Sequence, residues 1–101
     1  MEVRMTCRER QLEAALAGEL DHHGARGLIR QLEEEIERTL PLRLTLDFRG
    51  VTFMDSSGIA VVLRCRARMQ ELGGGVTVRA MGDQPRKVLS AGGIDRLVTM
   101  E

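Results

Sequence analysis

Aromatic residues are almost absent from this chain of 101 residues: it has two, Phe48 and Phe53, and no tryptophan or tyrosine. Sites that stack nucleic-acid bases rely on aromatic faces, so such a site is not expected. An excess of charge of either sign is also lacking, because 15 Lys and Arg balance 15 Asp and Glu. Charge therefore predicts no general attraction to nucleic acid or to an anionic membrane.

Long apolar runs and clustered metal ligands are lacking too. The longest apolar runs, such as 59–63, fall far short of the roughly 20 residues of a membrane span, and the N-terminus has no signal-peptide core. Cys7 and Cys65 have no ligand spacing and are expected to be small core residues. His22 and His23 are adjacent on a helix, where side chains point about 100° apart and converge poorly on one ion. We expect a reduced, cytoplasmic protein without metal, cofactor or membrane partner.

What is present is a regular alternation of strand and helix patterns, over a length that suits one domain spanning residues 1–101. Period-two alternation predicts strands at 3–7, 12–16 and 42–48. Two further strands are expected, at 76–81 and within 94–100. Apolar residues at helical spacing predict helices at 21–40, 59–72 and 83–89. The order β-β-α-β-α-β-α-β indicates an α/β fold, a mixed sheet of four to five strands with helices packed on it.

Local signals mark where the helices begin and which faces they expose. Asp21 is a candidate N-cap of the first helix, with 18–20 leading into it, and Asp83 is a candidate N-cap of the third. The acidic run at 33–35 with Glu37 is expected to be a solvated helix face, although a basic partner could use it.

The most informative segment is Phe-Met-Asp-Ser-Ser-Gly at 53–58. It joins the end of a strand to the start of a helix, where free backbone N–H groups and the positive end of the helix dipole gather. One interpretation is structural, with Asp55 or Ser56 serving only as the N-cap. The other is that Ser56 receives a phosphate, which adds about −1.5 to −2 charges. A helix N-terminus tolerates that charge, while repulsion with Asp55 would expel a docked partner.

A third interpretation makes Ser56 a catalytic nucleophile. The nucleophile elbow needs Gly-x-Ser-x-Gly, and Met54 stands at the first glycine position. Only His22 and His23 could act as the base, and both lie at the start of another helix. A small serine hydrolase is therefore the weaker interpretation, and no catalytic residue is assigned.

Three segments together resemble STAS domains, and more narrowly the sporulation anti-sigma factor antagonists: Gly-Glu-Leu-Asp-His-His at 18–23, Leu-Thr-Leu-Asp-Phe at 44–48 and Val-Thr-Phe-Met-Asp-Ser-Ser-Gly at 51–58. The segments 72–74 and 90–94 also fit, so the resemblance covers almost the whole chain. It implies a single STAS domain and a protein-binding regulator with no catalysis of its own.

The resemblance also implies a partner-switching cycle. In this family the unphosphorylated protein binds an anti-sigma factor that is also a serine kinase, and the bound sigma factor is released. The kinase then phosphorylates the serine that is Ser56 here, which abolishes the tight complex, and a serine phosphatase restores the active form. The implied partner-binding residues are Asp21, His22, Asp55, Ser57 and Gly58.

Three features depart from the family pattern. Ala60 stands where these proteins commonly carry glycine, and the first helix contains Gly24 and Gly27, which are expected to loosen it. A chain ending at Glu101 is expected to lack the extra C-terminal helix of many STAS domains. Apolar surface exposed in this way predicts a monomer or a weak dimer. An alternative of a different class is a STAS accessory subunit of a membrane transport complex, against which the Asp-Ser-Ser-Gly motif argues.

Overall fold

The computed structural model describes all residues, 1–101. The strands are β1 (Glu2–Arg8), β2 (Gln11–Leu20), β3 (Arg43–Met54), β4 (Gly75–Arg79) and β5 (Thr99–Met100). The helices are α1 (His22–Thr39), α2 (Ser57–Glu71) and α3 (Asp83–Ala91), with a short 3-10 turn at Ile94–Arg96. The predicted α/β fold and its order of elements are confirmed.

The strands form one five-stranded mixed sheet in the order β1-β2-β3-β4-β5. β1 and β2 are antiparallel, whereas β2 to β5 run parallel to one another. Register partners share a face of the sheet, and the row Leu12, Leu44 and Val76 is buried. The adjacent row of Glu13, Thr45 and Thr77 faces the opposite side and is only half-buried. A cluster of 23 buried hydrophobic residues thus fills the space between one face of the sheet and the helices.

β1 and β2 are joined by a two-residue turn at Glu9 and Arg10. Both residues have positive φ, 52° and 63°, as a type I′ hairpin turn requires. The Arg10 guanidinium also donates to the carbonyl oxygen of Leu40 at 3.0 and 3.2 Å, which ties the hairpin to the end of α1.

Both central strands are longer than their alternation predicts. The segment 18–20, expected to lead into the first helix, is the last part of β2, and β3 continues through Gly50 to Met54. The register between β2 and β3 shifts beside Ala17 and again at Gly18, which has a φ of 104°. Such bulges break period-two alternation, so the sequence pattern ends before the strands do.

The C-terminal third differs from expectation at three points. β4 is shorter than predicted because Ala80 leaves the strand with a φ of 60°. The N-cap of α3 is Gly82, and Asp83 is the first helical residue instead of the cap. The apolar residues from position 94 begin with the 3-10 turn, which leaves only Thr99–Met100 as β5.

The two cysteines lie in different environments. Cys65 is in the core, as predicted, and burial raises the pKa of its thiol to about 12. Cys7 is exposed, so its expected place in the core is wrong. It lies on β1, the edge strand of the sheet, where no helix covers the side chain. Period-two alternation does not show whether a strand lies at the edge of a sheet.

The acidic run is not simply a solvated face. Glu33 Oε2 lies 3.0 Å from Arg64 Nη2, and Glu37 Oε2 lies 2.7 Å from Arg68 Nη2. Both arginines belong to α2, so the basic partner of these two glutamates is a helix of the same chain. Exposed ion pairs of this kind each contribute about 0.2–1 kcal/mol and align α1 with α2.

Candidate functional site

The candidate site forms where β2 and β3 end together. Leu20 and Met54 are register partners at the carboxyl ends of these parallel strands, so Asp21 and Asp55 leave the sheet side by side. The backbone N–H of Asp55 donates to the carbonyl oxygen of Leu20 at 3.1 Å, which fixes the two chain segments to each other. In open α/β sheets this edge is where binding residues collect. We call the residues Asp21, His22, Asp55, Ser56 and Ser57 the Ser56 corner.

Asp21 starts α1 as its N-cap, as predicted. Its Oδ1 accepts hydrogen bonds from the backbone N–H groups of His23 and Gly24, each at 3.1 Å. These bonds satisfy two donors that have no partner within the helix. The carboxylate is therefore held in one orientation, and the residue is half-buried.

Asp55 lies one residue before the N-cap position of α2 and supplies the hydrogen bond at the start of that helix. Its Oδ1 accepts from the backbone N–H of Ser57 at 2.8 Å. The pKa of the Asp55 carboxyl is lowered, first because of this hydrogen bond and further because His22 lies nearby. The side chain is consequently ionised and oriented at neutral pH.

Ser56 occupies the N-cap position of α2, but its side chain makes no capping hydrogen bond. Its backbone is helical, with a φ of −63° and a ψ of −14°, and the residue is exposed. Of the two candidate caps, Asp55 supplies the bond to the first helical turn, so the Ser56 hydroxyl has no structural partner.

The histidines do not engage Ser56. Contrary to the expectation that their side chains diverge, the rings of His22 and His23 contact each other, with centroids 4.1 Å apart. Neither ring hydrogen-bonds to the Ser56 hydroxyl, and a base-activated nucleophile needs that contact. No group of three or more His, Cys, Asp or Glu side chains is placed to hold a metal ion.

The sequence analysis placed Gly58 on the partner-facing surface, but in the structure the residue lies beneath the Ser56 corner. The residue is buried, and a Cβ added there would lie 2.5 Å from Met54 Cγ and closer still to Sδ. The missing side chain lets the first turn of α2 pack directly on the buried Met54. Gly58 can therefore shape the corner only from below.

Gln84 supports the corner from α3, and the sequence analysis missed it. Pairing between β3 and β4 ends at Asp47 and Arg79, so the outer edge of β3 has no partner strand near Met54. The Gln84 side chain fills that place: Oε1 accepts from the Met54 N–H at 2.9 Å, and Nε2 donates to the Met54 carbonyl at 2.6 Å. The only indication in the sequence was a general one: the backbone N–H and C=O groups of Met54 each need a hydrogen-bond partner.

Replacing Gln84 with alanine is expected to destabilise the fold by about 1–2 kcal/mol, because two backbone groups of Met54 lose their partners. Faster amide hydrogen exchange at residues 54–57 is expected with it. Lys87→Ala is the control, since Lys87 is exposed on the same helix and has no hydrogen bond. Unchanged exchange at 54–57 in Gln84→Ala would show that the two Gln84 hydrogen bonds do not stabilise the Ser56 corner.

A groove of about 870 Å³ runs from the Ser56 corner along α1 and α2. His22 and Ser57 lie in its wall, and Ile29 and Ala60 supply apolar surface. Apart from Ala25, arginine and glutamate side chains line the remainder, including the Arg64 that pairs with Glu33. The corner is thus continuous with a charged surface between two helices.

None of the helices combines the length and apolar character required to cross a membrane.

Comparison with known proteins gives a family match over almost the whole chain. The family model described as "Mlab, STAS domain" matches residues 3–99. A curated relative, the anti-sigma F factor antagonist of Paenibacillus polymyxa, is 30% identical over 83 residues, which are 82% of this chain and 71% of the relative.

Solved structures share the fold. The unphosphorylated form of the anti-sigma factor antagonist SpoIIAA matches with a TM-score of 0.86 at 23% identity, over 99% of this chain and 88% of that one. The phosphorylated form of the Bacillus cell fate determinant SpoIIAA matches with a TM-score of 0.76 at 22% identity, over 99% and 91%. An anti-sigma factor antagonist from Mycobacterium paratuberculosis matches with a TM-score of 0.83 at 20% identity, over 98% and 83%.

Proposed function

This chain belongs to the STAS domain family, and we propose that it is an anti-sigma factor antagonist controlled at Ser56. Its unphosphorylated form binds an anti-sigma factor serine kinase and frees the sigma factor. Phosphorylation of Ser56 ends that complex, and a serine phosphatase restores binding. The Paenibacillus relative, an anti-sigma F factor antagonist, supports the first step, and the arrangement at the Ser56 corner supports the switch.

The observation that carries the proposal is the unengaged hydroxyl of Ser56. It is exposed at the first turn of α2, and the capping bond there belongs to Asp55. A kinase can reach the hydroxyl, and esterifying it removes no hydrogen bond on which the fold depends. The N-terminus of α2 also favours a nearby phosphate electrostatically.

The same geometry gives a reason why phosphorylation would separate the partners. Asp21 and Asp55 are both held by backbone N–H groups and cannot easily turn away from a new negative charge. A phosphate adds about −1.5 to −2 charges beside them. A partner surface complementary to the unphosphorylated corner would then meet like charge in a contact with little water, which costs several kcal/mol.

We assign the partner contact to His22 and Ser57, which lie in the wall of the groove, together with the carboxylates of Asp21 and Asp55. Gly58 contributes through the packing of Met54 under the corner. The proposed cycle takes place in the cytoplasm, and residues 1–101 act in it as one domain. No cofactor, nucleic acid or membrane has a part in it.

The test is intact-mass analysis after incubation with ATP, magnesium and the candidate kinase from the same genome. One added phosphate is expected in the wild type and in Ser90→Ala, and none in Ser56→Ala. Ser90→Ala is the control because it removes another exposed serine, which lies on α3 and outside the Ser56 corner. A phosphate that persists in Ser56→Ala, or no phosphate on a protein that binds the kinase, would refute the assigned switch. Copurification with a membrane permease would instead favour the transport-complex alternative.

A further inference from the structure

β1 leaves the sheet with a long, regular free edge. The strand pairs with β2 from Glu2 to Arg8 without a register shift, and it contains neither glycine nor proline. The opposite edge of the sheet is β5, which has only two residues. Proteins commonly protect a free edge by shortening, bulging, covering or charging it. β1 is neither short nor bulged, and its three charged side chains, Glu2, Arg4 and Arg8, are of both signs.

The hairpin geometry shows which backbone groups face outward from this edge. Arg8 and Gln11 flank a two-residue turn and therefore form a hydrogen-bonded pair. Bonding alternates along an antiparallel ladder, so the N–H and C=O groups of Val3, Met5 and Cys7 point away from β2.

The side chains of the same three residues lie on the helix side of the sheet, in register with Leu16, Ala14 and Leu12. Val3 and Met5 are only half-buried, and Cys7 is exposed, although their partners on β2 are completely covered. The apolar layer of the core thus continues onto β1 without being closed there.

We propose that β1 pairs antiparallel with β1 of a second copy of this chain, about a two-fold axis through Met5. The two sheets then become one, and Met5 meets the partner's Met5. Glu2 lies opposite the partner's Arg8 at one end, and Arg8 lies opposite the partner's Glu2 at the other. Val3 and Cys7 face each other across the seam, which closes the apolar layer.

Charge selects this register over its neighbours. Shifting the axis to Arg4 places that arginine opposite itself, and shifting it to Thr6 places Arg4 opposite the partner's Arg8. Like charges directly opposite each other destabilise an antiparallel pair, whereas opposite charges contribute about 0.2–1 kcal/mol. Registers that differ by one residue would direct the two helical layers to opposite faces.

A charge exchange tests the partner and the register together. Sedimentation of the wild type over increasing concentration is expected to show a monomer–dimer equilibrium. Arg8→Glu is expected to weaken it about 10-fold or more, and Glu2→Arg with Arg8→Glu is expected to restore it, because the double variant re-forms both ion pairs. A monomer at every concentration, or a double variant as weak as Arg8→Glu, would overturn the proposal.

A disulfide reports the register without relying on charge. In a Cys7→Ser background, Met5→Cys puts two thiols on the axis, where opposed Cα atoms about 5.5 Å apart suit a disulfide. Oxidation is expected to yield a covalent dimer. Thr6→Cys in the same background is the control and is expected to cross-link far less, since its copies are offset along the strands. Equal cross-linking at both positions would show that the pairing is wrong.

Discussion

Ser56→Asp is expected to weaken binding to the kinase by about 100-fold, equivalent to about 2.7 kcal/mol, while the fold keeps its stability. The new carboxylate would stand in the first turn of α2 beside Asp55, whose own charge is held by the Ser57 N–H. The helix dipole favours a negative charge there by about 0.3–1 kcal/mol, which offsets repulsion within the folded chain. In the complex the added charge has no such compensation.

Ser56→Asn is the matched control because it has the same shape as the aspartate and no charge. Calorimetry should show near wild-type affinity for Ser56→Asn, and thermal unfolding should place both variants within about 0.5 kcal/mol of the wild type. Equal losses of affinity in the two variants would indicate a steric requirement for serine and not an electrostatic switch. An unchanged affinity in Ser56→Asp would also contradict the proposed mechanism.

Gly58→Ala is expected to destabilise the fold by about 1–2 kcal/mol, although alanine is the better helix former. The added methyl group would collide with Met54, which is completely buried in the core. For a domain of this size, each kcal/mol lowers the melting temperature by about 4–8 °C. Thermal unfolding by circular dichroism measures the change.

Gly27→Ala provides the opposite case on α1. Gly27 is exposed, and a Cβ there would meet no atom within 4 Å. The substitution is therefore expected to stabilise the protein by about 0.5–1 kcal/mol. If Gly58→Ala were also stabilising, the contact between α2 and Met54 would be looser than described. Combining Gly58→Ala with Met54→Ala is expected to cost less than the sum of the two, because they share one contact.

The fold could be predicted largely because its sheet has one buried face. Period-two alternation over 42–48 identified β3, and the helical stripe after Gly58 identified α2. The ends of β2 and β3 were missed because bulges shift the side-chain alternation. The exposure of Cys7 was missed for another reason: the pattern of a strand does not tell whether that strand lies at the edge.

The candidate site divides in the same way between local and distant interactions. The Asp21 cap was predictable because its hydrogen bonds reach only two and three residues along the chain. The hydrogen bonds between the Gln84 side chain and the Met54 backbone join residues that are thirty positions apart, and no local sequence pattern signals them. That Asp55 and not Ser56 binds the helix N–H depends on a side-chain orientation that the motif leaves open.

Because Asp55 holds the start of α2, serine is not needed at position 56 for the domain to fold. Under the proposed function, selection on that residue acts through signalling alone. A lineage that loses its kinase can replace Ser56 and keep an intact domain that binds its partner without interruption. The same scaffold can thus serve as a permanent binder or as a regulated one, and the two differ by a single side chain.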